Sequence, residues 1–234
     1  GDVYKRQARI RACFMAATIR GPWAPGNAFP RPRPRARHGA MARTTGSRAE
    51  ITGPLIRDKA RRLFARQGYA AVSMRQIAAA VGVQAGALYA YTPDKQALLA
   101  DLLESHMQEL LDAWSDDPAA DPLARLERFV RFHIDFSLDH SDAVFLSYME
   151  LRNLTPDNFA RIAALRGRYE AALERILRDG VASRSMRIED PKLTTLALIA
   201  MLTGVTNWYR EGGRLDRGRI AQIYWGLARG AVGA

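Results

Sequence analysis

The chain has 234 residues, 48% of them apolar, a single cysteine and a formal net charge of +11. That apolar share excludes wholesale disorder, and the lone Cys13 excludes an internal disulfide framework. The lone cysteine points to a reducing, cytoplasmic setting, and no stretch approaches the roughly eighteen uncharged apolar residues of a membrane helix, so no membrane span is expected.

The charge is uneven along the chain. Residues 1–50 hold eleven Lys/Arg against two acidic residues, residues 51–97 hold seven against two, and residues 98–234 hold seventeen against twenty. A basic segment beside a mildly acidic body suggests that one part of the chain meets a polyanion and the other does not. Residues 1–50 are expected to be a disordered basic tail, because the Pro-Arg alternation at 30–35 can neither form a helix ladder nor bury a face. Met41 resembles a natural start, so residues 1–40 are read as upstream, non-native sequence and set aside from the fold. The alternative is a basic arm that touches nucleic acid.

From residue 53 the pattern is helical throughout, with no strand periodicity. Ile56, Ala60, Leu63 and Phe64 share one face of a first helix, ended by Gly68. Ser73 and Gln76 form a capping box at the head of a second, whose stripe is Met74, Ile77, Ala78 and Val81. Gly82 closes it, and a short third helix is expected over 84–90. Thr92 is expected to cap a long fourth helix with Pro93 at its first position, running to about Trp114. Five more helices are expected at 122–139, 141–153, 156–179, 191–210 and 217–230. Asp121-Pro122, Thr155-Pro156 and Asp190-Pro191 open three of them, and Gly180 and Gly212-Gly213 supply stops. The expected fold is all-α with about nine helices: a three-helix unit at 51–97 and a helical body at 98–234.

Two short helices joined by a glycine turn and braced by a third make a helix-turn-helix. The run of Ala78, Ala79, Ala80, Ala85, Gly86 and Ala87 keeps the third helix thin enough for a major groove. Tyr89, Tyr91 and Lys95 follow that edge and are candidates for phosphate contact, as is Arg75. The free amides at the head of the fourth helix are a further candidate. On spacing alone, local core and solvated charge remain the alternative.

Residues 57–103, through Leu63-Phe64-Ala65, Gly68-Tyr69, Ser73, Ile77-Ala78, Gly82-Val83, Gly86, Leu88-Tyr89, Tyr91, Lys95 and Leu98-Leu99, strongly resemble the DNA-binding domain of the TetR (tetracycline repressor) family. The resemblance implies a homodimeric transcription regulator, usually a repressor, released from double-stranded operator DNA by a small effector. It assigns DNA approach to Met74, Arg75, Gln84, Ala85, Gly86, Ala87, Tyr89, Tyr91 and Lys95. Gln84 departs from the usual Ser cap, and Thr92-Pro93-Asp94 departs from the usual aromatic hinge.

In the body, aromatic and methionine side chains suit an apolar pocket. Met107, Leu111, Phe129, His133, Phe136, Phe145, Met149, Leu165, Tyr169 and Trp208 are the candidate effector-binding residues. Ordinary core is the alternative for each. The all-apolar helix at 193–210 and the last helix are candidates for a dimer face, represented by Thr195, Leu202, Tyr209, Ile220, Tyr224 and Leu227. More loosely, the C-terminal part resembles the subgroup that senses acyl-CoA, lipid or steroid catabolites. Arg152, Arg166, Arg168 and Arg210 are candidates for the phosphates of such a ligand, against the alternative of solvated helix charge. No catalytic, metal or cofactor motif is seen. The rival classes are a nonspecific nucleic-acid binder acting through the basic arm and an all-helical enzyme without a recognisable motif.

Overall fold

The computed structural model describes residues 45–234, with side chains from residue 52. The expectation of a non-native stretch at 1–40 lies outside the described residues. Nine α-helices and no strand occur among those described: α1 Thr45–Gln67, α2 Met74–Val81, α3 Ala85–Leu88, α4 Lys95–Ala113, α5 Pro122–Asp139, α6 Ser141–Met149, α7 Pro156–Ala182, α8 Pro191–Thr203 and α9 Arg217–Ala231. Short 3₁₀ turns follow α6 at Leu151–Asn153 and α8 at Gly204–Asn207. They replace the expected continuous helices at 141–153 and 191–210.

The first helix begins earlier than its apolar stripe suggests. Thr45 to Glu50, expected to belong to the tail, is helical backbone, and Pro54 sits inside α1. A proline removes one N–H from the ladder and does not by itself end a helix whose downstream face is packed. That face is buried: Ile56, Ala60 and Phe64 meet Val72, Ile77, Ala78 and Leu88 in the core of the three-helix unit.

Local chemistry sets the helix boundaries. Gly68 and Gly82 take φ of +82° and +80°, the left-handed conformation that costs other residues more. Ser73 Oγ accepts from the Gln76 amide at 3.3 Å while the Ser73 amide donates to Gln76 Oε1 at 2.7 Å, the full capping box. Asp121 caps α5 and Asp190 caps α8 as the sequence indicates. Three expectations are corrected. Asp94, not Thr92, caps α4: its carboxylate accepts from the Ala97 amide at 2.7 Å, while Thr92 turns its hydroxyl to the Asp94 carbonyl. Thr155 precedes α7 without a side-chain cap. Gly180 is no stop, since α7 runs to Ala182; a Cβ there would lie 2.3 Å from Met186 Sδ, so glycine is required by close packing.

The body packs around Leu126, Phe129, Ile134, Ile162, Leu173, Ile176 and Leu202. Trp114, just past α4, meets the edge of Phe129 at 5.0 Å between centroids. Arg125 is buried on α5 between Asp116 and Asp179, each 2.7 Å from its guanidinium. Its hydrogen bonds hold the Asp116 carboxyl below its usual range.

Candidate DNA-reading edge and effector cavity

The reading edge is built on the second turn of the helix pair. α3 spans only Ala85–Leu88, shorter than expected, and its N-cap Gln84 makes no side-chain cap bond. Leu88 is its fully buried anchor. Gln84, Gly86 and Ala87 face solvent, Tyr89 and Tyr91 are exposed just beyond them, and Arg75 is exposed on α2. Met74 and Ala85, also assigned to DNA approach, pack partly against the core. Both are half-buried there.

Lys95 does not extend toward solvent. Its ammonium donates to the carbonyls of Tyr69 and Val72 at 3.0 and 2.8 Å and lies 4.3 Å from the Tyr69 ring centroid. It therefore locks the loop after α1 onto the head of α4, and its assignment as a phosphate contact is corrected. The head of α4 is likewise not a bare row of amides, because the Asp94 carboxylate occupies it. Lys95→Ala is expected to lower stability by about 2 kcal/mol, the worth of hydrogen bonds from a charged donor. The salt dependence of DNA binding should keep its slope; a slope reduced by about one unit without a fall in Tm would restore the phosphate role.

Lys95 belongs to a joint between the three-helix unit and the body. Buried Glu150, after α6, accepts from the Tyr69 amide at 3.3 Å and from the Asn153 side chain. Gln96, in the first turn of α4, donates to the Asn153 carbonyl at 2.7 Å and accepts from the Thr155 amide at 3.3 Å. Arg57 on α1 grips Asp101 on α4 with both ends of its fork, at 2.6 and 2.9 Å. Apart from Glu150 with Asn153, these partners were not legible in the sequence, since the pairs lie 44 to 81 residues apart.

Farther along α4 the same helix walls a narrow cavity of about 40 Å³, open to solvent at its mouth, that also draws on α5, α6, α7 and α8. Of the candidate residues, Met107, His133, Phe136 and Tyr169 line it. Phe129 lies behind the wall, stacked on His133 and tilted against Tyr169. Leu111 and Leu165 pack against the core away from the cavity. Phe145 and Met149 line a neighbouring, half-exposed recess with Val144, Tyr148 and Thr203 rather than this cavity, and Trp208 is corrected to the outer surface. In α6, Ala143, Val144, Leu146 and Ser147 take the inward side, and the 100° step leaves Phe145 and Met149 outside.

The cavity also has polar parts, of which the sequence reading offered His133 and Tyr169 but not Thr203 or His106. His133 Nδ1 lies 3.0 Å from Tyr169 Oη and its Nε2 2.9 Å from Thr203 Oγ1, which in turn meets Tyr148 Oη at 3.2 Å. A neutral imidazole suits this chain, donating on one side and accepting on the other. Burial pushes the His133 pKa down to about 4, with His106 adding to the effect. His106 on α4 is only 4% exposed, and burial, then His140, Arg61 and Arg166, push it to about 4 as well. Arg166 lines the cavity, donating to the Ser147 carbonyl at 2.9 Å beneath the Tyr148 ring. Arg166 was considered only for ligand phosphates. His106 had a legible signal: it falls on the Leu99, Leu103, Leu110 stripe, where an apolar side chain is the rule.

The expected dimer face divides. Thr195, Leu202 and Ile220 are buried in the chain's own core and are corrected. Tyr209 and Tyr224 are half-buried, and Leu227 is 53% exposed. α8 also exposes Leu193 at 63% and Leu196 at 42%, and α9 exposes Ile223.

A thin exposed helix edge joined through α4 to a cavity-bearing helical body defines a DNA-binding regulator of the helix-turn-helix class. Residues 56–102 match the family described as bacterial regulatory proteins, tetR family, and residues 119–232 match the tetracyclin repressor-like C-terminal domain. The chain belongs to the TetR family of transcriptional regulators. It is 25% identical over 197 residues to the HTH-type transcriptional repressor KstR2 of Mycobacterium tuberculosis, covering 82% of this chain and 98% of that one. A tetR-family regulatory protein from Rhodococcus RHA1 superposes with a TM-score of 0.74 at 28% identity, over 77% of this chain and 96% of the other. AibR, solved with isovaleryl coenzyme A and operator DNA, superposes with a TM-score of 0.67 at 25% identity, over 75% and 97%. No described helix is long and apolar enough to cross a membrane.

Proposed function

We propose that this protein is a cytoplasmic, homodimeric repressor rather than an enzyme, released from its operator by a small effector with an apolar body and an acyl head, free or as a coenzyme A thioester. One observation carries the reading. α4 is bonded to the three-helix unit through Lys95 and Asp101, to the turn after α6 through Gln96, and walls the cavity at His106, Met107 and Leu110. From Lys95 to His106 a helix rises about 16 Å, so a shift at the cavity moves the joint as a rigid rod. AibR, with its acyl-CoA and operator, supports the choice of effector.

Gln84, Gly86, Ala87, Tyr89, Tyr91 and Arg75 form the edge that meets DNA. Two such edges about 34–36 Å apart read half-sites one turn apart, and effector that alters this spacing costs operator affinity. Swinging occupancy from nearly full to nearly empty takes about 5.5 kcal/mol of differential affinity. The partner subunit is held by the apolar side chains that α8 and α9 leave in solvent, Leu193, Leu196, Ile223 and Leu227. Together they would close a four-helix bundle across a two-fold axis.

Leu227→Glu tests this arrangement. Sedimentation should show a folded monomer, and operator affinity should fall by about two orders of magnitude as the second half-site is lost. A variant that remains dimeric and binds as tightly as the parent would place the interface elsewhere.

A further inference from the structure

The polar groups of the cavity leave a charge without a counterpart. Glu170 is the carboxylate in its lining, and it is bonded to Lys192 Nζ at 2.9 Å. Arg166 makes no ion pair among the described residues; its one hydrogen bond there goes to the Ser147 carbonyl. Both lining histidines are kept neutral by burial, so they add no charge to that of Arg166. His106 lines the same cavity as Arg166, and its Nδ1 is buried with no hydrogen-bond partner among the described residues. A buried, unpartnered ring nitrogen is costly to keep unless something else makes use of the imidazole. Around these two groups the wall is apolar: Met107, Leu110, Phe136, Val144 and Ile199.

We propose that Arg166 and His106 form the head-group subsite of the cavity: the guanidinium takes an acyl oxygen, as carboxylate or as thioester carbonyl, and the imidazole supplies the second hydrogen bond. The inference rests on the reading of this cavity as the effector site and adds the ligand chemistry. Arginine presents a fork suited to a carboxylate, and a carbonyl takes one arm of it. The chain of the acyl compound lies against Met107, Leu110 and Ile199. Tyr169, His133, Thr203 and Tyr148 already satisfy one another and hold the wall in shape.

The test is calorimetric titration of the full chain with the C6, C8, C10 and C12 fatty acids, their coenzyme A thioesters, and 1-octanol. The parent should bind at least one acyl probe, and 1-octanol at least tenfold more weakly. Arg166→Met should weaken the best acyl probe tenfold or more while leaving 1-octanol unchanged, and Arg166→Lys should fall between. His106→Leu should weaken the acyl probe yet raise Tm, because it removes the unpartnered nitrogen; a merely structural histidine would lower Tm on removal. Free acid tighter than thioester identifies a carboxylate ligand, and the reverse identifies a thioester; either supports the subsite. It is overturned if no acyl probe binds, if 1-octanol equals the best of them, or if Arg166→Met and Arg166→Lys both bind like the parent. Operator release is measured separately by anisotropy. An acyl probe that binds through Arg166 without releasing operator contradicts the proposed function and leaves the subsite standing.

Discussion

Ala87→Glu is expected to weaken operator binding by at least about 100-fold, or about 3 kcal/mol, while Tm moves by no more than about 0.5 kcal/mol equivalent. Ala87 is exposed on α3 with the core on its other side, so glutamate fits without displacing anything. In the complex its carboxylate would stand on the thin edge that enters the groove, against phosphates and base acceptors. The neighbouring Leu88 makes the contrast. It is fully buried, and Leu88→Ala should cost about 2–5 kcal/mol of stability through the cavity left behind, losing DNA binding by unfolding the edge. Operator titration and thermal melting of the two variants separate recognition from support. An Ala87→Glu protein that binds operator like the parent would remove α3 from the interface.

The second large effect is acid destabilisation by the two buried histidines. His106 and His133 each titrate near 4 in the folded chain instead of the ordinary 6.5. Below pH 6.5 the unfolded chain takes up protons that the folded chain refuses, so stability falls as pH falls and is lost progressively down to about pH 4. Each ring contributes about 3 kcal/mol over that window. Asp116 acts later: Arg125 depresses its pKa, so its contribution is present above the ordinary carboxylate range and is lost only at lower pH. Tm measured from pH 7.5 to 4 should drop steeply below 6.5, and His106→Leu should shrink that drop by about half. A flat profile to pH 4.5 would mean that both rings are hydrated or charged in the folded protein.

What the sequence disclosed and what it withheld follow from range. Features within one turn were legible: the Ser73–Gln76 box, the positive φ at Gly68 and Gly82, the proline-headed helices and the uncapped Gln84. The cap of α4 was misplaced by two residues because Thr92, Pro93 and Asp94 offer two plausible caps, and the charged carboxylate takes the amide. The role of Lys95 was missed because the two carbonyls that hold it lie more than 20 residues back in the chain. The dimer candidates divided because α8 is apolar nearly all round. Periodicity cannot say that Thr195 and Leu202 face the chain's own core while Leu193 and Leu196 face out. The pocket was half found, by aromatic content and His133, while His106 was missed because a histidine on an apolar stripe is usually only packed.

The central claim is that occupation of the body cavity changes what the α3 edge holds. It is tested most directly by capturing genomic fragments of the source organism on the full-length protein, then titrating the captured duplex with the acyl probe that binds it best. The account predicts a small set of fragments, each with two half-sites one helical turn apart, released as the cavity fills and retained by Arg166→Met at the same probe concentration. Fragments no different from the input DNA, or release that Arg166→Met shows equally, would contradict it.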